Sequence, residues 1–243
     1  MKKPYFAGVV PILALVALGS VLAPWPVAAG QNQNFVVNEA AERIRNIDEA
    51  KSELRQYYAC TCKCGCYASD FSVQAQKALQ FLQKRAAKRA PGEKLAMVLD
   101  IDETSLSNWE QMSKADFTYR ANDFSAWEEE ARAPALDGTL RLYREARKLG
   151  VAVFFITGRP EAERSATEKN LRFAGYDDWQ GLILRRAHPT TQTTSDYKSS
   201  ERAKIVAQGF KLALNAGDQW SDLRGQPEAE FSLKYPNPFY LIP

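Results

Sequence analysis

Four short apolar runs constrain this chain more than any other feature. Residues 95–101, 151–156, 181–184 and 211–215 have strand length, and helical patterns at 136–149, 161–173 and 197–208 lie between them. Near-continuous apolar runs belong to strands covered on both faces. Strands that alternate with helices build right-handed βαβ units around a buried parallel sheet. The expected fold class is therefore α/β, with ligands bound beyond the carboxyl ends of the strands. No GxGxxG or GxxxxGK[ST] loop is present, so neither a dinucleotide site nor a P-loop is supported.

Upstream of these runs the periodicity changes to that of helices. Val37, Ala40, Ala41, Ile44, Ile47, Leu54 and Tyr58 form one amphipathic pattern, and Phe71, Ala75, Ala78, Leu79, Leu82 and Ala86 form another. Ala90-Pro91-Gly92 ends the second. Between them stands CTCKCGC, which holds all four cysteines, Cys60, Cys62, Cys64 and Cys66. One residue between successive cysteines is closer than the spacing of usual structural zinc sites. Disulfides, a metal clip and intermolecular pairing all stay open, and no connectivity can be deduced.

Residues 1–29 read as a targeting segment. Lys2 and Lys3 precede an uncharged apolar stretch from Phe6 to Ala23, and Val27-Ala28-Ala29 offers small residues for a cut before Gly30. An uncleaved membrane anchor is the alternative, since the stretch is nearly long enough to span. Pro11, Pro24 and Pro26 favour cleavage, and the expected location is periplasmic or secreted. The expected organisation is a signal peptide over 1–29, a helical segment with a Cys-rich turn over 30–92, and a core over 93–243. The chain is 45% hydrophobic and 25% charged, an ordinary globular balance. Its formal charge of +3 falls to near +1 without Lys2 and Lys3, too balanced to point to nucleic acid.

Each apolar run ends in polar residues: LDIDET, FITGR and LNAGDQWSD. Strand ends converge in space, so these sets meet at one rim. Asp100, Asp102 and Asp218 would repel one another there if buried alone. A hard cation is the simplest explanation. Mg2+ takes oxygen ligands in octahedral geometry and keeps water or substrate phosphate in its shell. It would offset the repulsion and draw in an anionic substrate.

Asp100-Ile101-Asp102-Glu103-Thr104 resembles the DxDxT signature of haloacid dehalogenase (HAD)-type phosphohydrolases. Thr157 at the end of VFFITGR resembles the second motif of that superfamily, Lys198 in DYKSSER the third, and Asp218 with Asp222 in GDQWSD the fourth. The stretches LSN, ITGRPEAERSATEKNL, GYDDW, LILR and KYPNPFY are similar to those of its secreted acid phosphatases, subfamily IIIB. That group includes bacterial class B-like and lipoprotein acid phosphatases and plant vegetative storage proteins. The resemblance runs from about Leu95 to the C-terminus; the CxCxCxC cluster has no counterpart in it. It implies a Rossmann-like HAD core with a small helical lid, built from the N-terminal helices and an insertion at about 110–135.

By matching position, Asp100 would be the nucleophile that forms an aspartyl-phosphate. Asp102 would protonate the leaving alcohol and then activate water, with its backbone carbonyl on the metal. Thr157 would hydrogen-bond a phosphoryl oxygen, and Lys198 would neutralise charge and orient Asp100. Asp218 would be a metal ligand, and Asp222 either a ligand through water or a partner of Lys198. Trp127 in the insertion and Tyr240 in NPFY would line the substrate pocket, the alternative being that both are core. Asp123 is the candidate N-cap of the insertion helix. Arg159 and Arg202 are expected to hold framework carboxylates, His188 to be structural or peripheral, and Glu103 to be solvent-facing or framework.

The resemblance implies an exported, Mg2+-dependent acid phosphatase acting on small phosphate monoesters. Three alternatives stand beside it: a catalytically weak storage or binding protein of the same fold, a phosphotransferase, and a module built on the cysteines.

Overall fold

The computed structural model describes residues 44–61, 65–186 and 192–242. The expected leader, Cys62, Cys64 and His188 lie outside the described residues. Five parallel strands form one sheet: β1 (Lys94–Leu99), β2 (Ala152–Pro160), β3 (Gly181–Arg185), β4 (Phe210–Gly217) and β5 (Phe231–Lys234), in the order β3-β2-β1-β4-β5. The first four are the apolar runs anticipated from the sequence. The four-residue β5 was not anticipated. It is too short for a periodic signal and only Leu233 in it is buried.

Alternation along β1 explains why both faces are covered. Leu95, Met97 and Leu99 enter one core together with Val153 and Phe155 of β2. Ala96 and Val98 enter a second, smaller core with Phe154 and Ile156. The larger core is closed by α2 (Tyr67–Ala87), α5 (Asp137–Lys148) and α6 (Arg164–Phe173). The smaller is closed by α7 (Thr194–Ala207) through Tyr197 and Ile205. Each fully buried aliphatic or aromatic side chain of this kind contributes roughly 1.5–3 kcal/mol relative to exposure.

Among the described residues two helices precede the sheet. In α1 (Ile47–Ala59), Asn46 caps the N-terminus by accepting the amides of Asp48 and Glu49. Cys60 follows it as the C-cap, and Cys66 is the N-cap of α2. On α2, Tyr67, Phe71, Ala75, Ala78 and Leu82 recur at helical spacing and are all buried. Close packing of α2 on α5 depends on Gly138, where a Cβ would stand 2.8 Å from that of Ala75. Arg45–Pro243 forms one compact unit.

The insertion after β1 carries α3 (Trp109–Lys114) and α4 (Ala121–Glu130). The latter starts two residues before Asp123, with Arg120 at the cap. Asp123 therefore sits inside the first turn, where its charge favours the helix dipole instead of capping it. The 3-10 turn Glu161–Glu163 leads into α6, and α8 (Trp220–Leu223) follows β4. No helix among the described residues is long and apolar enough to cross a membrane.

Candidate active site at the carboxyl ends of β1 and β4

The strand order places a switch point between β1 and β4. The chain runs outward from β1 through β2 to β3, then returns to the other side of β1. Connections diverge there and open a crevice at the carboxyl ends. Asp100 follows β1 and Asp218 follows β4, so both acids emerge into that crevice. Leu99 pairs with Ala216 and Phe155, which sets the two acids and Thr157 of β2 at similar heights.

The loop after β1 is tightly wound. Amides of Ser105 and Leu106 both donate to the carbonyl of Ile101 at 2.8 Å, and Ser105 Oγ donates to the carbonyl of Asp100 at 2.7 Å. Glu103 adopts φ 52°, an uncommon conformation for a non-glycine residue, and its carboxylate turns inward. It accepts from the Asn108 amide at 2.7 Å and from Tyr240 Oη at 2.7 Å, and is 1% exposed. Of the two readings open for Glu103, framework and solvent-facing, the geometry selects framework. Thr104 Oγ1 reaches across to Asp218 Oδ1 at 3.1 Å.

Lys198, carried by α7, lies between two carboxylates. Its Nζ donates to Asp100 Oδ1 and Asp222 Oδ1, each at 2.5 Å. Burial works against its charge, yet Asp100 and Asp222 hold the proton on, well above the ordinary lysine range. Asp100, Asp218 and Asp222 offer oxygens that all lie within 4.8 Å of one another, and all three are buried. One lysine does not balance three acids. Burial pushes Asp100 well above the usual carboxylate range in spite of Lys198, and pushes Asp218 up to about 7 with Asp222 adding to the effect. A group of hard oxygen donors short of positive charge is what a divalent cation fits.

Asp102 faces elsewhere. Arg159 donates to Asp102 Oδ1 from Nη2 at 2.6 Å and engages both oxygens from Nε, and Asn108 Nδ2 adds a bond at 2.8 Å. Burial opposes its ionisation, but Arg159 and Asn108 hold its carboxyl below the usual value. Arg159 thus holds a carboxylate, as the sequence suggested. The same guanidinium lies 3.0 Å from Glu128, whose carboxyl burial and nearby Asp102 lift to about 9. Thr157 is fully buried, and its hydroxyl accepts the Arg159 amide at 3.1 Å.

The two aromatic candidates part company. Tyr240 lines a cavity of about 600 Å³ that also meets Asp100, Asp102, Arg159, Lys198 and Asp222, with Phe117, Phe124 and Phe239 on its apolar side. Trp127 is not among its lining residues. It is buried, donates Nε1 to Asn108 Oδ1 at 2.8 Å, and carries the Arg132 guanidinium on its ring. Arg202 also departs from expectation. Among the described residues it binds no carboxylate; its guanidinium donates to the carbonyls of Asp222, Arg224, Gly225 and Pro227. These carbonyls lie in a turn that the sequence does not reveal.

Sequence reasoning gave no role to Asn108, Glu128, Glu163, Gln219 or Asn237. Asn108, Glu163, Gln219 and Asn237 stand inside stretches already marked by the resemblance, LSN, ITGRPEAERSATEKNL, GDQWSD and KYPNPFY. Glu128 carries no such signal, because an acidic residue in a helical pattern ordinarily faces solvent.

A model of the HAD superfamily, subfamily IIIB (acid phosphatase) matches residues 24–243. Acid phosphatase 1 of Solanum lycopersicum is 45% identical over 148 residues, 60% of this chain and 58% of that protein. The stem 28 kDa glycoprotein of Glycine max is 37% identical over 150 residues, 60% of this chain and 59% of that protein. The chain thus spans less than two thirds of the length of either relative. Among solved structures, the class C acid phosphatase of Bacillus anthracis shares the fold with a TM-score of 0.64 at 22% identity, covering 80% of this chain and 86% of that one. The chain belongs to the HAD superfamily, subfamily IIIB, the acid phosphatases.

Proposed function

We propose that this chain is an exported, Mg2+-dependent acid phosphatase that hydrolyses small phosphate monoesters through an aspartyl-phosphate. The observation that carries the reading is Lys198 bridging Asp100 and Asp222 inside a buried triad with Asp218. Mg2+ held by Asp100, the Asp102 carbonyl, Asp218 and Asp222 would neutralise phosphate charge and so lower the repulsion met by an attacking carboxylate.

The chain's own residues do the rest. Lys198 occupies Asp100 Oδ1, which leaves Oδ2 to attack phosphorus. As the Asp100 oxygen–phosphorus bond forms, the ester oxygen–phosphorus bond breaks and Asp102 gives its proton to the departing alcohol. Arg159 favours the ionised form of Asp102; the negative charge of an incoming phosphate opposes Arg159 and favours the protonated form. In the second half Asp102, again ionised, takes a proton from water as the water oxygen attacks phosphorus and frees Asp100. The Thr157 hydroxyl and Lys198 stabilise the phosphoryl oxygens throughout. The apolar side of the cavity, Tyr240 included, receives the organic part of the ester.

Export rests on residues 1–29, and the predicted mature N-terminus is Gly30; N-terminal sequencing of the exported protein checks it. The enzymatic reading is tested by Asp100→Asn. With Mg2+ present, turnover of an aryl phosphate is expected to fall below detection while the fold persists by circular dichroism. Full retained activity would sink the mechanism, and a folded wild type inactive on nucleotide, sugar and aryl phosphates would leave a storage or binding role.

A further inference from the structure

Beyond β5 the chain crosses back over the acidic triad. The Tyr235 amide donates to the Gly217 carbonyl at 2.8 Å, and the strap 235–242 then lies beside Asp218, Gln219 and Glu103. Two amide side chains meet Asp218 there. Asn237 Nδ2 and Gln219 Nε2 each donate to Asp218 Oδ2 at 2.6 Å.

Neither amide is free to turn over. Asn237 Oδ1 accepts the backbone amides of Phe239 at 2.8 Å and Tyr240 at 3.4 Å, so its NH2 group must face Asp218. Gln219 Oε1 accepts the Ile242 amide at 3.1 Å, which orients Gln219 in the same sense. Thr104 supplies a third donor, to the other oxygen of Asp218. Tyr240 Oη ties the same strap to Glu103 in the loop after β1. The strap therefore links the loops that carry Asp100 and Asp218, and fixes the direction in which Asp218 presents its oxygens.

We infer that the C-terminal strap is a working part of the cation site: Asn237 and Gln219 are positioning residues that hold Asp218 as a preorganised ligand. This rests on the Mg2+ reading of the triad. Groups that orient a metal ligand typically change affinity about 10–100-fold when removed.

The test uses the full chain and Mg2+ alone, without substrate, read as the rise of the melting temperature with Mg2+ concentration and by calorimetric titration. Asn237→Ala and Gln219→Met are each expected to weaken Mg2+ binding about 10–100-fold. Arg85→Ala removes an ion pair with Glu93 and Glu230 at the opposite end of the strands. It is expected to lower the melting temperature while leaving the Mg2+ dissociation constant unchanged, so a general loss of stability is told apart from loss of a ligand's orientation. If Asn237→Ala does not fold, Gln219→Met carries the same test, since it keeps side-chain length and removes the donor without adding charge. Wild-type affinity in either folded variant overturns the role of the strap and leaves the Mg2+ site standing. A wild type that binds no Mg2+ overturns the Mg2+ reading and this inference with it.

Discussion

A methyl group on Gly217 would stand 2.2 Å from Asp222 Oδ2. Nothing about the backbone forbids alanine there; the neighbouring carboxylate does. Gly217→Ala is therefore expected to push Asp222 away from Lys198, to cost about 1–3 kcal/mol of stability, and to cut turnover about 100-fold. Steady-state kinetics on an aryl phosphate with a thermal melt checks both, and an unchanged variant would mean that Asp222 is not pinned. Glu128 gives a prediction of a different kind. Burial and Asp102 lift its carboxyl from the ordinary 4.5 to about 9, because the nearby Arg159 is already shared with Asp102. The folded protein holds that proton between those values and the unfolded chain does not. The contribution is thus complete below pH 4.5 and is lost as pH rises toward 9. In chelator the melting temperature should fall between pH 5 and 9, and Glu128→Gln should flatten that fall; an identical slope would count against the assignment. Asp100, Asp102, Thr157, Lys198, Asp218 and Asp222 were legible because motif spacing marks them. Glu128 was not, because what faces it from its place in α4 is an arginine supplied by β2, distant in sequence.

Elements were legible where one physical signal sufficed. β1 to β4 could be seen because strands covered on both faces must be apolar throughout. The limits of α4 could not, since Arg120 and Asp123 offer competing starts and tertiary packing chose between them. Arg202 shows the gap most clearly. From α7 it reaches the carbonyl of Asp222 in α8 and three carbonyls of the turn that follows, and it is fully buried. Asp222 is itself a member of the triad, so α7 positions the triad twice, through Lys198 and through Arg202. Arg202→Met would take the guanidinium from the carbonyls of Arg224, Gly225 and Pro227, while that of Asp222 keeps Asn215 Nδ2 at 3.0 Å, at a cost of about 3 kcal/mol. Arg202→Lys should recover only part of it, because an ammonium cannot fork across a turn. Urea unfolding measures both, and a methionine variant as stable as wild type would show that the carbonyls find other partners.

At the scale of the whole molecule, the sequence suggested a division between a helical segment at 30–92 and a core at 93–243. Aromatic contacts run across that line. Tyr58 stacks on Trp109 with ring centroids 3.8 Å apart, Tyr67 lies 5.3 Å from Phe239, and Phe71 stacks on Tyr235 at 4.0 Å. These pairs join α1 and α2 to the insertion and to the C-terminal strap, residues separated by up to most of the chain. No local pattern could announce them, because each ring alone reads only as an apolar residue of a helix or loop. Without α2, the face of the sheet built from Leu95, Met97, Leu99 and Phe155 would lose the cover of Tyr67, Phe71, Ala75, Ala78 and Leu82. At roughly 1.5–3 kcal/mol for each large side chain, that loss matches the whole margin of about 5–15 kcal/mol by which a domain is stable. Residues 93–243 expressed alone are therefore expected to show no cooperative thermal transition and to bind a dye for exposed apolar surface. A sharp, reversible transition in that fragment would show instead that the helices and the sheet are separate folding units, and that the aromatic pairs dock a lid already formed.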